Sequence, residues 1–179
     1  MKRNIEVVPH NPRWSELFEE EVRELKAIFG REIVQAHHIG STAIAGILAK
    51  PIIDILLLVR DIERIDAFDG EMIARGYLPK GEFGIAGRRF FIKGSETRRT
   101  HHIHVFQTGN PECEHHLAFR DYLRSHPVEA QAYSRLKSEL VGRFPHDIDG
   151  YMAGKNDFIR KIERKAEAWM ERREQADNT

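Results

Sequence analysis

In the stretch His38-Ile39-Gly40-Ser41-Thr42-Ala43, a glycine and two hydroxyls fall together where an apolar, strand-like run ends and a short helix can begin. Backbone N–H groups at such a turn lack internal partners and sit at the positive end of the helix dipole, so they suit an anion. Gly40 would let a phosphate approach the backbone, and Ser41 and Thr42 can donate to phosphate oxygens. The same residues also serve as a plain turn and helix cap. Downstream, Lys50 precedes the run 51–59, which is apolar except for Asp54. An unpaired carboxylate inside such a run costs several kcal/mol, so Asp54 needs a cation, a donor network or water. A metal- or phosphate-proximal role meets that need, and so does internal pairing with a lysine or arginine.

His102 and His104 stand two apart in a run that reads as a strand, which puts them on one face and turns His101 and Ile103 to the other. That spacing permits two ligands to one ion, with Asp54 on a neighbouring strand as the third, and imidazoles favour zinc over magnesium. A hydrogen-bonded core histidine beside a solvent-facing one, or donation to a phosphate, are the competing uses. Toward the C-terminus, Arg120 and Arg124, Tyr133 and Lys137, and Tyr151 and Lys155 each lie one helical turn apart. Such pairs ordinarily make a solvated face. On helices folded back over a sheet, Arg120 or Arg124 would suit bidentate contact with a phosphate or carboxylate, and Tyr133 could stack on a base.

These residues need elements to hold them. Asn11 and Pro12 can start a helix whose apolar stripe runs Trp14, Leu17, Phe18, Val22, Leu25 and Phe29, with Gly30 as its stop. Residues 33–38 read as a short strand, and 51–59 as a strand buried on both faces because its apolar run does not alternate. Between them, 41–47 leaves room for two helical turns at most. Asp61 reads as the cap of a helix that Gly76 ends, followed by strands at 77–78, 89–93 and 102–107. Beyond Gly109-Asn110-Pro111 the pattern is helical, with breaks near His126-Pro127 and at 144–147, and the polar residues 171–179 are expected to fray. One domain over 1–179 follows, sheet-rich in 1–108 and helical over 112–170, the helical part packed on the sheet.

Composition narrows the function classes. A chain of 179 residues can bury about 70% of its unfolded surface in one core. Its 28 basic and 28 acidic side chains cancel, and its longest basic candidates, Arg88-Arg89 and Arg98-Arg99, are only pairs, which disfavours nucleic acid as a partner. The lone Cys113 excludes an intramolecular disulfide and reads as a free thiol in a loop. No run approaches the roughly 20 apolar residues of a membrane span, and residues 1–5 lack a signal-peptide core, so a cytoplasmic location is expected.

The string 38–43, followed by Ala49-Lys50-Pro51-Ile52-Ile53-Asp54-Ile55, resembles the signature of the GrpB-like family of the nucleotidyltransferase superfamily. Val7-Val8-Pro9 with Trp14 and Phe18, Gly76-Tyr77, 102–105, 117–124, Pro127, and Tyr133 with Leu136-Lys137 extend the resemblance over nearly the whole chain. It implies an α/β (α+β) nucleotidyltransferase-like mixed sheet flanked by helices, a Gly-Ser turn for a triphosphate, and carboxylates for a divalent metal, Mg or Mn, with Zn if the histidines ligate. The expected ligand is a nucleotide or phosphorylated small molecule held by Gly40, Ser41, Thr42, Lys50, Arg120, Arg124, Tyr133 and Lys137. Asp54 is the expected catalytic carboxylate, and Asp54, His102 and His104 are the candidate metal ligands. The chain departs from the superfamily at Asp54-Ile55-Leu56, where a second acid is usual, and two-metal transfer needs such oxygen ligands. It also reads Ile44-Ala45-Gly46 where a proline often precedes the glycine, and His37 where an acid is frequent. Nucleotidyl transfer therefore stands beside two alternatives. One is a non-catalytic ligand-binding or accessory module, in the manner of GrpB-like domains fused to dephospho-coenzyme A kinase. The other is a metal-dependent hydrolase using Asp54, His102 and His104.

Overall fold

The computed structural model describes residues 4–179; residues 1–3, part of the stretch read for a signal-peptide core, lie outside the described residues. Helix α1 (Trp14–Phe29) is set up by Asn11, whose side chain accepts from the Arg13 N–H and whose carbonyl accepts from the Trp14 N–H. Pro12 thus lies in the turn before the helix. Strands β1 (Ile33–Ile39) and β2 (Ile53–Val59) follow, then a 3-10 stretch (Ile62–Phe68) running into the short helix α2 (Asp69–Ala74). Asp61 caps that stretch by accepting from the Glu63 N–H, but the helix expected there is split where α-geometry begins only at Asp69. Strands β3 (Tyr77–Pro79), β4 (Arg88–Gly94) and β5 (Arg99–Gln107) complete one sheet in the order β1-β2-β5-β4-β3. Only the central pair, β2 and β5, is parallel, so the sheet is mixed.

The unbroken apolar run of β2 has the predicted consequence. Ile53, Ile55, Leu57 and Val59 pack with α1, Phe91, Ile103 and Val105 on one face, while Leu56 and Leu58 pack with Ile39, Phe106 and Cys113 on the other. Helices α3 (Pro111–Ser125), α4 (Pro127–Arg143) and α5 (Ile148–Asp177) close the chain, broken where Pro127 and Pro145 stand. Two expectations are corrected here. Cys113 lies buried in the first turn of α3 rather than in a loop, because Asn110 caps a helix that begins at Pro111. Residues 171–177 continue α5 instead of fraying, consistent with the strong helix propensity of their Glu, Arg, Gln and Ala.

The helical segment grips the chain between β1 and β2. Ile44 and Ile47 are buried among Tyr122, Leu123, Ala130, Tyr133 and Ile162. The Ser134 hydroxyl accepts from the Leu48 N–H at 2.8 Å, and Gln131 donates to the Gly46 carbonyl at 2.9 Å. The turn at Gly40 is therefore clamped between sheet and helices. Among the described residues, no helix is long and apolar enough to cross a membrane.

Candidate functional site

The register places Ile39, Asp54, His102 and Ile92 side by side across four strands, and Leu56, His104 and Phe90 in the next row. Because strand side chains alternate, Asp54, His102 and His104 share the face that looks toward the helices. His101 turns to the opposite face and meets Glu21 of α1.

Asp54 Oδ1 lies 3.2 Å from His104 Nε2 and 3.4 Å from His102 Nδ1. Behind each ring stands a guanidinium: Arg88 Nη1 is 3.4 Å from His104 Nδ1, and Arg99 Nη1 is 3.5 Å from His102 Nε2. An arginine can only donate, so the far nitrogen of each ring accepts and the near one carries the proton toward Asp54. Burial would push the Asp54 carboxyl up, but the hydrogen bonds from His102 and His104 outweigh it and hold the group well below the usual carboxylate range. The three residues do converge, as donors around one carboxylate. A zinc ligand must offer a lone pair, which this tautomer spends elsewhere, and among the described residues no group of three His, Cys, Asp or Glu is set to hold an ion. The residues present do not fit a zinc centre. Leu56, where a second acid would stand, is fully buried in apolar packing.

The Gly40 turn is shorter than expected. Only Ser41–Ala43 is helical, as a single 3-10 turn, and the N–H groups of Ala43 and Ile44 are used within it by Gly40 and Ser41 carbonyls. The dipole of a real helix is therefore missing, and any anion attraction has to come from side chains. Gly40 is required for a different reason than phosphate access. Its φ is 72°, and a Cβ there would lie 2.7 Å from Asp54 Oδ2, so the turn closes directly on the carboxylate. Thr42 is buried, and its hydroxyl is engaged by His38 Nε2 at 2.8 Å. Burial pushes His38 down to about 4.

Arg120 and Arg124 do not reach the cavity as ligand-binding forks. Arg120 Nη1 donates to the His38 carbonyl at 3.1 Å and its Nε to Asp121, while Arg124 Nε donates to the Ala43 carbonyl at 2.8 Å. They brace the two ends of the turn. Tyr133 is 3% exposed and its ring stacks on Phe158, with the Lys137 ammonium 4.4 Å from the ring centroid. That ring is occupied, and stacking on a base is not open to it.

Lys137 supplies the strongest electrostatic feature. It is 2% exposed, donates to Ser41 Oγ at 2.8 Å, and has no carboxylate within ion-pair distance among the described residues. Burial, reinforced by the charges of Lys155 and Lys50, pushes it down to about 7. Lys155 is likewise pushed down by burial, partly offset by Asp54. The ammoniums of Lys50 and Lys155 lie 4.7 and 5.0 Å from the centroid of the Tyr151 ring. Together with Arg88 and Arg99 these lysines line a cavity of about 530 Å³ over Asp54. Its mouth is apolar: Phe83, 52% exposed, stacks on Phe90, and Met152 faces in from α5. Arg88 fixes the Phe83 loop by donating to the carbonyls of Phe83 and Glu82. Sequence reading noticed Arg88 and Arg99 only as basic pairs. Arg88, two residues before Phe90, carried the sign that it faces the site; Arg99 stands three residues from His102, which alternation alone would turn to the other face, and pairs with Gly94 beyond a register shift.

The Gly40-Ser41 turn thus closes on a carboxylate of the adjoining strand, on a mixed sheet covered by helices. A crystal structure of the Cid1 poly(U) polymerase shares this fold at 16% identity and a TM-score of 0.53, over 76% of this chain and 44% of that one. Within that fold the chain belongs to the GrpB protein family, which it matches over residues 4–165. It is 44% identical to the conserved protein GrpB of Enterococcus faecalis, whose crystal structure superposes with a TM-score of 0.88 over 92% of this chain and 99% of that one. The YqkA protein of Bacillus subtilis is 49% identical over 178 residues, covering 99% of this chain but 52% of that protein, so the chain spans about half of that relative's length. A dephospho-CoA kinase of Mycolicibacterium paratuberculosis is 26% identical over 92% of this chain and 46% of that protein.

Proposed function

We propose that the protein binds a nucleotide or phosphorylated metabolite in the cavity over Asp54, phosphates inward against Ser41, Lys137, Lys155 and Lys50. One observation supports this most: Lys137 is a buried lysine with no carboxylate partner among the described residues. Burial without a carboxylate makes Lys137 shed part of its charge, and an anion entering the cavity would restore it. The exposed Phe83 and Met152 at the mouth suit the flat, apolar face of a base, which favours a nucleotide over inorganic phosphate.

The protein acts in this reading as a binder rather than a two-metal transferase. With Leu56 buried and apolar, Asp54 is the only acid of its strand facing the site, and in-line transfer by two ions needs more oxygen ligands than that. Mg²⁺ or Mn²⁺ carried in on the phosphates would meet Asp54 as its protein carboxylate. The likeness to a dephospho-CoA kinase makes coenzyme A precursors the first ligands to try. A thermal-shift screen of nucleotides and these precursors, with and without divalent metal, tests the reading. A ligand at 100 times its Kd adds about 2.7 kcal/mol of stability. The reading fails if no phosphorylated compound stabilises the protein, or if Lys137→Met leaves the stabilisation intact.

A further inference from the structure

Three of the chain's four tyrosine hydroxyls are engaged: Tyr77 donates to Glu21, Tyr122 donates to Glu129 at 2.6 Å, and Tyr133 is hydrogen-bonded to Ser41. The fourth, Tyr151, is fully buried, and its Oη has no hydrogen-bond partner among the described residues. A buried phenol normally finds a partner, and leaving that bond unmade destabilises the fold. Tyr151 stands in the first turn of α5 and lines the cavity over Asp54. The ammoniums of Lys50 and Lys155 lie over its ring, 4.7 and 5.0 Å from the centroid. Burial pushes the Tyr133 phenol up and the Tyr151 phenol adds to that, so the Tyr151 hydroxyl is within electrostatic reach of the Tyr133–Ser41 pair. A second buried donor on the same cavity wall, Arg99 Nε, likewise has no partner among the described residues.

We propose that Tyr151 is a ligand-binding residue, whose hydroxyl donates a hydrogen bond to an oxygen of the phosphate drawn in by Lys50 and Lys155. The inference rests on the function proposed above and adds to it a neutral, directional donor. Burial pushes the phenol up to about 12, so at neutral pH the hydroxyl keeps its proton and donates to an anion rather than repelling it. An ammonium on a flexible stem attracts a phosphate without fixing its orientation, whereas the phenol O–H sits on a rigid, buried ring. The ring face holds the two ammoniums, and the hydroxyl supplies the bond that aligns the phosphate between them. In the free protein the unmet hydroxyl is a cost, which a phosphate oxygen removes on binding.

The test titrates tripolyphosphate into the full chain, into Tyr151→Phe and into Lys137→Met by calorimetry, and follows thermal unfolding of each without ligand. Tyr151→Phe keeps the ring beneath Lys50 and Lys155 and removes only the hydroxyl. It should weaken tripolyphosphate about tenfold or more, the worth of one hydrogen bond to a charged group, while the Tm of the free protein stays equal or rises. A merely structural hydroxyl would lower the Tm instead. In protein labelled with 3-fluorotyrosine, the ¹⁹F resonance that Tyr151→Phe removes should shift on adding tripolyphosphate. The role of Tyr151 is overturned if Tyr151→Phe binds tripolyphosphate as the parent does, if it lowers the Tm of the free protein, or if that resonance does not move. If Lys137→Met still binds tripolyphosphate while Tyr151→Phe is weakened, the reading of Lys137 fails and Tyr151 stands. A parent that binds no tripolyphosphate overturns both.

Discussion

Lys137 couples phosphate binding to pH, and the size of the coupling follows from its surroundings. Burial and the neighbouring charges of Lys155 and Lys50 push it down to about 7, so in the free protein about half the molecules carry the ammonium at pH 7 and about a tenth at pH 8. A phosphate that binds the charged form should therefore lose about fivefold in affinity from pH 7 to pH 8. It should take up about half a proton per ligand at pH 7 and about 0.9 at pH 8. Isothermal titration calorimetry in two buffers of different ionisation enthalpy reads both quantities. Lys137→Arg, which cannot be deprotonated, should abolish the uptake and leave only the ligand's own titration. Stability of the ligand-free protein moves the other way. The unfolded lysine keeps its proton up to its ordinary value while the folded one releases it near 7, so the unfolded state binds more protons in between and stability rises with pH over that window. Lys137→Met should flatten the rise. Equal affinities at pH 7 and 8 with no proton uptake would refute the reasoning.

Three further outcomes are expected. Asp54 is held below the carboxylate range in the fold, so it contributes stability above its unfolded value that is lost as pH falls toward the folded one. Urea denaturation between pH 2 and 6 should show that Asp54→Asn weakens this acid-side fall. Leu56→Asp buries an uncompensated charge beside Ile39 and Phe106 and should cost about 3–5 kcal/mol, a loss that Mn²⁺ should partly restore in thermal unfolding if the geometry can still hold an ion. Gly40→Ala must take a positive φ and push on Asp54 Oδ2; the backbone strain alone should cost about 1–3 kcal/mol by urea denaturation, and calorimetry should show phosphate binding lost with it.

Local signals were readable in the sequence where one element decides the outcome. The non-alternating run of β2 meant burial on both faces, the spacing of His102 and His104 meant a shared face, and Pro127 and Pro145 marked the helix breaks. What was not readable depends on contacts far apart along the chain. Ser41 and Lys137 meet across 96 residues, and nothing in either neighbourhood says that the ammonium ends on that hydroxyl. Arg120 and Arg124 looked like ligand forks because helical spacing gives direction but not reach; in the fold they donate to the carbonyls of His38 and Ala43. The turn itself was read as a helix start, whereas Ile44 and Ile47 are drawn into the helical segment's core, and that burial accompanies the end of the 3-10 turn at Ala43. The histidines were read as candidate metal ligands, beside core and phosphate-donor uses; Arg88, behind His104, sits on another strand and meets it only once β4 and β5 pair, while Arg99, behind His102, lies three residues away on the same strand.

The central claim is that the buried Lys137, which has no carboxylate partner among the described residues, and the Ser41 hydroxyl receive a phosphate. A crystal structure of the protein with a non-hydrolysable nucleoside triphosphate analogue tests it directly. The expected result is a phosphate oxygen within hydrogen-bonding distance of both Lys137 Nζ and Ser41 Oγ, with the base against Phe83. An analogue whose phosphates lie elsewhere, with Lys137 still donating only to Ser41, would contradict it.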